Sequence, residues 1–139
     1  MEIKYRSVTN LDSVIELHKK LFDEDNQSFF NSIKTRDYYK TFVATQNKQT
    51  IAYCIISVIA GEAEIINIGT LLQYRKMGVA HNLLNYALKH INASVVFLEV
   101  SNTNLPAIGL YNKCGFTQYG IRKKYYGHSD AILMKKQMN

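Results

Sequence analysis

The 139 residues, 47% hydrophobic and 20% charged with a single proline, fit one globular domain spanning 1–139 that buries its own core; two full domains and a disordered tail are both excluded. Seventeen Lys and Arg against eleven Asp and Glu leave a net charge of +6, which favours anionic partners such as nucleotides, phosphate-rich cofactors, ribosomal surfaces or acidic peptides without choosing among them. The ten tyrosines are scattered and no RNA-recognition, zinc-finger or KH pattern accompanies them, so direct contact with nucleic acid is not expected.

The chain opens with Ile3, Tyr5 and Ser7 alternating against Lys4 and Arg6, which predicts a strand. Asn10 is placed to cap a helix carrying Leu11, Val14, Ile15, His18, Leu21 and Phe22 at steps of three and four. Asp23 to Ser28 reads as a polar loop and Ser28 to Asp37 as a second helix. Three strands follow, Phe42 to Thr45, Thr50 to Ile59 and Ala63 to Leu71, with turns at Asn47-Lys48 and Gly61-Glu62, so this part is an antiparallel meander. A helix from Val79 to Ile91 then leads to a nearly all-apolar strand, Ser94 to Val100.

Strand, helix and strand in that order form a βαβ crossover, which makes the sheet mixed. The unbroken run Val95-Val96-Phe97-Leu98 suits a strand covered on both faces. Leu105 to Lys113 predicts a short helix, with Asn104 at its cap and Pro106 in the first turn, where a missing N–H costs little. Gly115 suits the left-handed position after that helix. Two last strands, Thr117 to Tyr126 and Asp130 to Lys135, are joined by Gly127-His128-Ser129.

Cys54 and Cys114 have no metal-ligand spacing and read as two reduced thiols; no metal is expected. With no export signal and no stretch near 18 apolar residues, a cytoplasmic protein free of the membrane is expected, as monomer or homodimer. His18, His81, His90 and His128 show no triad or HExxH spacing.

The segment Gln73-Tyr74-Arg75-Lys76-Met77-Gly78-Val79-Ala80 lies between a strand end and a helix start. Helix-opening amides lack internal partners and carry the positive end of the dipole, so a loop folded over them cradles an anion. Gly78 and Ala80 allow close approach and Arg75 and Lys76 add mobile charge; the plain alternative is a strand-to-helix loop with solvated cations. It is neither a Walker loop nor a GxGxxG fingerprint.

Arg75-Lys76-Met77-Gly78-Val79-Ala80 resembles the Arg/Gln-x-x-Gly-x-Gly/Ala acetyl-CoA signature of the GCN5-related N-acetyltransferases, the GNAT family. The later run Leu98-Glu99-Val100, Asn104-Leu105-Pro106-Ala107 and Leu110-Tyr111 through Gly115-Phe116 is similar to that family's Leu-Glu-Val, Asn-x-x-Ala and Leu-Tyr-x-x-x-Gly-Phe pattern. Asn67-Ile68, Tyr125-Tyr126, Asp130-Ala131 and Met134 resemble, within it, the RimI-type ribosomal-protein alanine N-acetyltransferases. The resemblance implies an α/β (α+β) fold, with a mostly antiparallel mixed sheet of about seven strands, about four flanking helices and a βαβ acetyl-CoA-binding core. It also implies acetyl transfer from acetyl-CoA to an amine, here the α-amine of a protein N-terminus such as a ribosomal protein's.

Carried over by residue, Ile68, Gly69 and Thr70 would offer backbone groups to the pantetheine arm, and Arg75, Lys76, Met77, Gly78, Val79, Ala80 and His81 would wrap the pyrophosphate. Asn104 would contact the cofactor, Glu99 would be the general base and Tyr111 the general acid. The plain alternatives are that Glu99 is half of a structural ion pair and that Tyr111 is a core side chain. A small-amine acetyltransferase and an inactive acetyl-CoA sensor stay as alternatives. The chain departs from the subfamily at Ser101, where an arginine is usual, at Leu71-Leu72-Gln73, which lacks a proline, and at the short link Gly127-His128-Ser129.

Overall fold

The structure is a computed structural model and describes residues 2–22, 26–125 and 127–139. In chain order it contains β1 (Lys4–Val8), α1 (Asp12–Phe22), α2 (Gln27–Thr35), β2 (Tyr39–Gln46), β3 (Gln49–Ile59), β4 (Glu62–Thr70), a 3-10 turn at Leu72–Tyr74, α3 (Val79–Lys89), β5 (Val95–Ser101), α4 (Leu105–Lys113), β6 (Thr117–Arg122) and β7 (Ala131–Gln137). The seven strands form one sheet in the order β1-β2-β3-β4-β5-β7-β6, antiparallel except for β4 against β5. The mixed sheet with four helices and the β4-α3-β5 crossover are therefore as expected.

Local chemistry explains the element ends. Asn10 accepts a hydrogen bond from the Asp12 amide at 2.9 Å and so opens α1. Asn104 does the same for α4, accepting from the Ala107 amide, with Pro106 in the first turn. Gly115 takes φ +94 after α4, and the Phe116 amide returns to the Tyr111 carbonyl at 3.0 Å. Of the predicted loop Asp23 to Ser28, residues 23–25 lie outside the described residues and α2 already begins at Gln27; the end of the sixth strand at Tyr126 also lies outside them, while β6 itself stops at Arg122 and β7 runs on to Gln137.

Alternation along each strand divides the core in two. On one face α3 and α4 bring Val79, Leu83, Leu84, Ala87, Leu88, Tyr111 and Cys114 against Ala52, Cys54, Ile56, Val96, Leu98 and Val100. On the other, α1 and α2 set Val14, Leu17, Phe30 and Ile33 against Val43, Tyr53 and Ile55. One expectation fails here. β5 is covered on one face only: Val96, Leu98 and Val100 are buried, whereas Val95, Phe97, Glu99 and Ser101 are half-exposed. The cause is that α1 packs over β3 and β4 and leaves the same face of β5 open.

Candidate active site

The geometry of the site begins with a strand that bends. Opposite β3, Ile56 pairs with Ile65 and Ile55 with Asn67, so Ile66 is an extra residue and β4 is bulged there. Bulged strands bend and re-aim their side chains. The parallel ladder to β5 covers only Glu62, Glu64 and the Ala63 between them, matched with Val95 to Phe97, after which β4 stays with β3 and β5 with β7. Beyond that ladder on the α1/α2 face, the bulged pair Ile66 and Asn67 on β4 and Glu99 on β5 thus stand on opposite banks of an opening whose edges carry ladder groups with no strand partner across the gap.

At the far end of β4 the chain reaches the candidate anion cradle. Lys76 (φ 63) and Gly78 (φ 80) both take left-handed backbone angles, which curl the loop back over α3. The first helical bond runs from the Asn82 amide to the Gly78 carbonyl at 2.9 Å, so the amides before it are those a helix leaves unsatisfied. A Cβ added at Gly78 would meet nothing within 4 Å, so no side chain crowds the loop at that point. These features fit a diphosphate. Val79 offers only its amide, because its side chain is buried in the core, while Met77 is exposed and His81 half-buried beside the Asn85 amide. Arg75 departs from expectation: its Nε donates to the Thr70 carbonyl at 3.2 Å, which ties the guanidinium to the end of β4 instead of leaving it mobile.

Of the three residues beneath the opening, Gly69 has a packing reason to be glycine. A Cβ there would lie 2.8 Å from both Leu21 Cδ1 and Tyr53 Cε1. Ile68 is half-buried and Thr70 buried. Asn67 is held from behind. The Tyr53 hydroxyl donates to its Oδ1, and Tyr53 in turn lies 2.8 Å from His18 Nδ1, while His18 Nε2 lies 2.9 Å from the Asn26 side-chain amide. Since Tyr53 has one hydroxyl proton and gives it to Asn67, Nδ1 of His18 must be the donor to Tyr53. Nothing in the sequence pointed to this chain, because its members come from α1, β3, β4 and the residue before α2.

Glu99 and Tyr111 occupy opposite faces of β5. Glu99 shares the open face and is paired with Arg122, Nη1 to Oε1 at 3.1 Å, with the Tyr125 ring 4.9 Å from the same guanidinium. Tyr111 is buried in the α3/α4 core, edge-on to Phe116 at 5.9 Å. A centre that both can reach has to lie in the opening between β4 and β5. The ion-pair reading of Glu99 therefore holds, with Arg122 as its partner, and the same carboxylate borders the opening. Asn104 is occupied in part, since its Oδ1 is the α4 cap. Ser101, in the place of the usual arginine, joins the strand end to the β6–β7 link through Ser129 at 3.0 Å and to Thr103 at 2.9 Å.

The thiols are poor nucleophiles. Both are free and buried; burial, with help from Cys114, pushes Cys54 up to about 12, and burial raises Cys114 although Lys136 opposes it. No cluster of three or more His, Cys, Asp or Glu able to hold a metal ion occurs among the described residues. Glu64, absent from the sequence reading, is a further site candidate: its carboxyl is raised by burial and by the charge of Glu99.

Comparison with known proteins agrees with this geometry. The model of the acetyltransferase (GNAT) family matches residues 8–116, and the chain belongs to that family. It is 34% identical over 103 residues to the ribosomal protein bS18-alanine N-acetyltransferase of Escherichia coli, covering 69% of this chain and 70% of that protein. An N-alpha-acetyltransferase of Sulfolobus acidocaldarius is 29% identical over 96% of this chain and 90% of its own length. Among solved structures, the ribosomal-protein-S18-alanine N-acetyltransferase of Escherichia coli superposes with a TM-score of 0.89 at 26% identity, covering 99% of this chain and 95% of that one. The chain is an acetyl-CoA-dependent N-acetyltransferase with the fold of that family.

Proposed function

We propose that the acceptor is the α-amine of a protein N-terminus, entering over the half-covered face of β5. The observation that carries this reading is the position of Glu99 on that open face, at the opening and already paired with Arg122. An α-amine with an ordinary pKa of about 7.7 to 8.0 is partly neutral near pH 7.4, whereas a lysine at about 10.4 has to be deprotonated at a cost of about 4 kcal/mol. A single carboxylate that already has a cationic partner suits the easier task. The named activities of the relatives from Escherichia coli and Sulfolobus acidocaldarius, both directed to protein N-termini, support the same acceptor class.

Bound acetyl-CoA supplies an activated acyl group on sulfur. The chain's own residues do the rest. Amides from Lys76 to His81 hold the diphosphate, Arg75 fixes the end of β4, and backbone groups of Ile68, Gly69 and Thr70 line the opening, with Asn104 at its α4 side. Glu99 meets the acceptor ammonium and draws off a proton directly or through water, and Tyr111 gives a proton to the departing sulfur. No described helix is long and apolar enough to cross a membrane, and with two free thiols the reading is of a cytoplasmic enzyme. Thiol release with a panel of N-terminal peptides, lysine peptides and polyamines tests the acceptor. Turnover on peptides with a free α-amine, lost when that amine is blocked, is the expected result; turnover on polyamines alone would replace it with a small-amine reading.

A further inference from the structure

Four polar side chains run in single file towards the opening: Asn26 before α2, His18 on α1, Tyr53 on β3 and Asn67 on β4. Their donors all face one way. The Asn26 NH2 can only donate, so His18 Nε2 accepts, Nδ1 carries the ring proton towards Tyr53, and Tyr53 has its own proton left for Asn67 Oδ1. His18 and Tyr53 are buried, where an unmet polar group is costly, and that holds the order of the file. Tyr53 faces Gly69 across the ladder and reaches Asn67 over it, since a Cβ on that glycine would sit 2.8 Å from Tyr53 Cε1 and 3.2 Å from Cζ. The bare backbone at residue 69 is thus what lets the ring through.

Asn67 ends the file with one group to spare. Its Oδ1 is taken by Tyr53, and its NH2 makes no hydrogen bond among the described residues. No buried side-chain nitrogen or oxygen among them lacks a partner, so this NH2 reaches solvent from a half-buried residue. It does so on the bank opposite Glu99. One bank therefore offers a carboxylate to an ammonium and the other a neutral donor to an acceptor oxygen.

We propose that the Asn67 NH2 donates to the carbonyl oxygen that follows the acceptor α-amine, which makes Asn67 the residue that tells a protein N-terminus from other amines; this rests on the α-amine reading above. In an N-terminal residue that carbonyl begins two bonds from the amine nitrogen, so the two groups are held from the two banks at once. A lysine ε-amine and a polyamine carry a methylene at that place and leave the donor without a partner. A site built to hydrogen-bond one substrate group discriminates against analogues that lack it. Tyr53 and His18 are positioning residues: they touch no substrate and set which end of the Asn67 amide faces the opening. With the amide reversed, its oxygen would repel the acceptor carbonyl.

Two measurements test this. The first pairs the peptide that the wild type acetylates fastest with its trans-alkene isostere, in which CH=CH replaces the first C=O and N–H beside the same α-amine. Asn67→Ala is expected to lower kcat/KM for the peptide by about three- to tenfold and for the isostere by about twofold at most, because the contact it deletes is already absent there. Tyr53→Phe, which keeps the ring over Gly69, is expected to show the same selective loss in smaller size. A merely structural role would lower both substrates alike. The second measurement needs no substitution: the peptide added to the wild-type enzyme loaded with coenzyme A is expected to move the Asn67 side-chain NH2 resonances downfield in 1H–15N spectra, and the isostere to leave them in place. Should Asn67→Ala fail to fold, Tyr53→Phe and the spectra decide. Equal losses on peptide and isostere, or no loss on either, overturn the proposal and leave the functional reading intact, as do NH2 resonances indifferent to the peptide. A wild-type enzyme inert towards every peptide overturns the functional reading and this proposal with it.

Discussion

The two ends of the site are built in different ways. The anion cradle is local: Lys76, Gly78 and the first turn of α3 follow one another in the chain, and their left-handed angles and open amides are set within a few residues. The acceptor end is assembled at long range, with Glu64 from β4, Glu99 from β5 and Arg122 from β6 brought together by pairing between strands distant in sequence. The first can be altered by changing one backbone angle. The second depends on register, since a one-residue slip of β5 would turn Glu99 into the α3/α4 core. Substitutions at the two ends should therefore separate cleanly into cofactor affinity on one side and turnover on the other.

The largest effects belong to the opening. Glu99→Gln and Tyr111→Phe are each expected to lower kcat by about 10²–10⁴-fold with acetyl-CoA affinity within a few fold of wild type, read by thiol release and calorimetry. Full kcat in both would detach these residues from the chemistry and leave the comparison without its second half. Gly69→Ala comes next and sharpens it from the structural side. Its Cβ would press on Tyr53 and Leu21 at 2.8 Å, so an overpacking loss of about 1–3 kcal/mol is expected, seen as a lower midpoint in urea. Gly78→Ala meets no neighbour, and only its φ of +80 opposes it; a loss of about 1 kcal/mol in stability, together with weaker acetyl-CoA binding, is the expected pattern. Equal loss of cofactor affinity in the two variants would mean that Gly69, too, is glycine chiefly for the ligand.

What the sequence made legible follows the same division. Caps at Asn10 and Asn104, the left-handed Gly115 and the cradle around Gly78 depend on near neighbours, so residue type and spacing reveal them. The mixed sheet was legible because a strand, an amphipathic helix and an apolar strand admit few arrangements. The apolar run Val95 to Leu98 misled because hydrophobicity reports that a strand is buried, not how completely each face is covered; Phe97 stays half-exposed beside the site and packs its ring on Tyr119. Glu64, Arg122 and the His18-Tyr53-Asn67 chain were hidden for a different reason. Each is an ordinary residue in its own element and gains meaning only from a partner at least ten residues away, once the ladder and the Ile66 bulge are in place.

Asn104 offers the smallest effect and the finest test, because there local architecture meets the proposed ligand contact. Its Oδ1 accepts from the Ala107 amide and opens α4, and its side-chain NH2 is the group proposed to meet the cofactor. Asn104→Ala removes both and is expected to cost about 1 kcal/mol of stability through the lost cap. Asn104→Asp keeps a capping oxygen, places negative charge at a helix N-terminus where the dipole favours it, and deletes only the donor. Unchanged or slightly higher thermal stability with severalfold weaker acetyl-CoA binding would show the residue serving both ends of its side chain. If Asn104→Asp binds acetyl-CoA as the wild type does, while Asn104→Ala loses stability alone, Asn104 is a cap and the cradle's reach ends at α3.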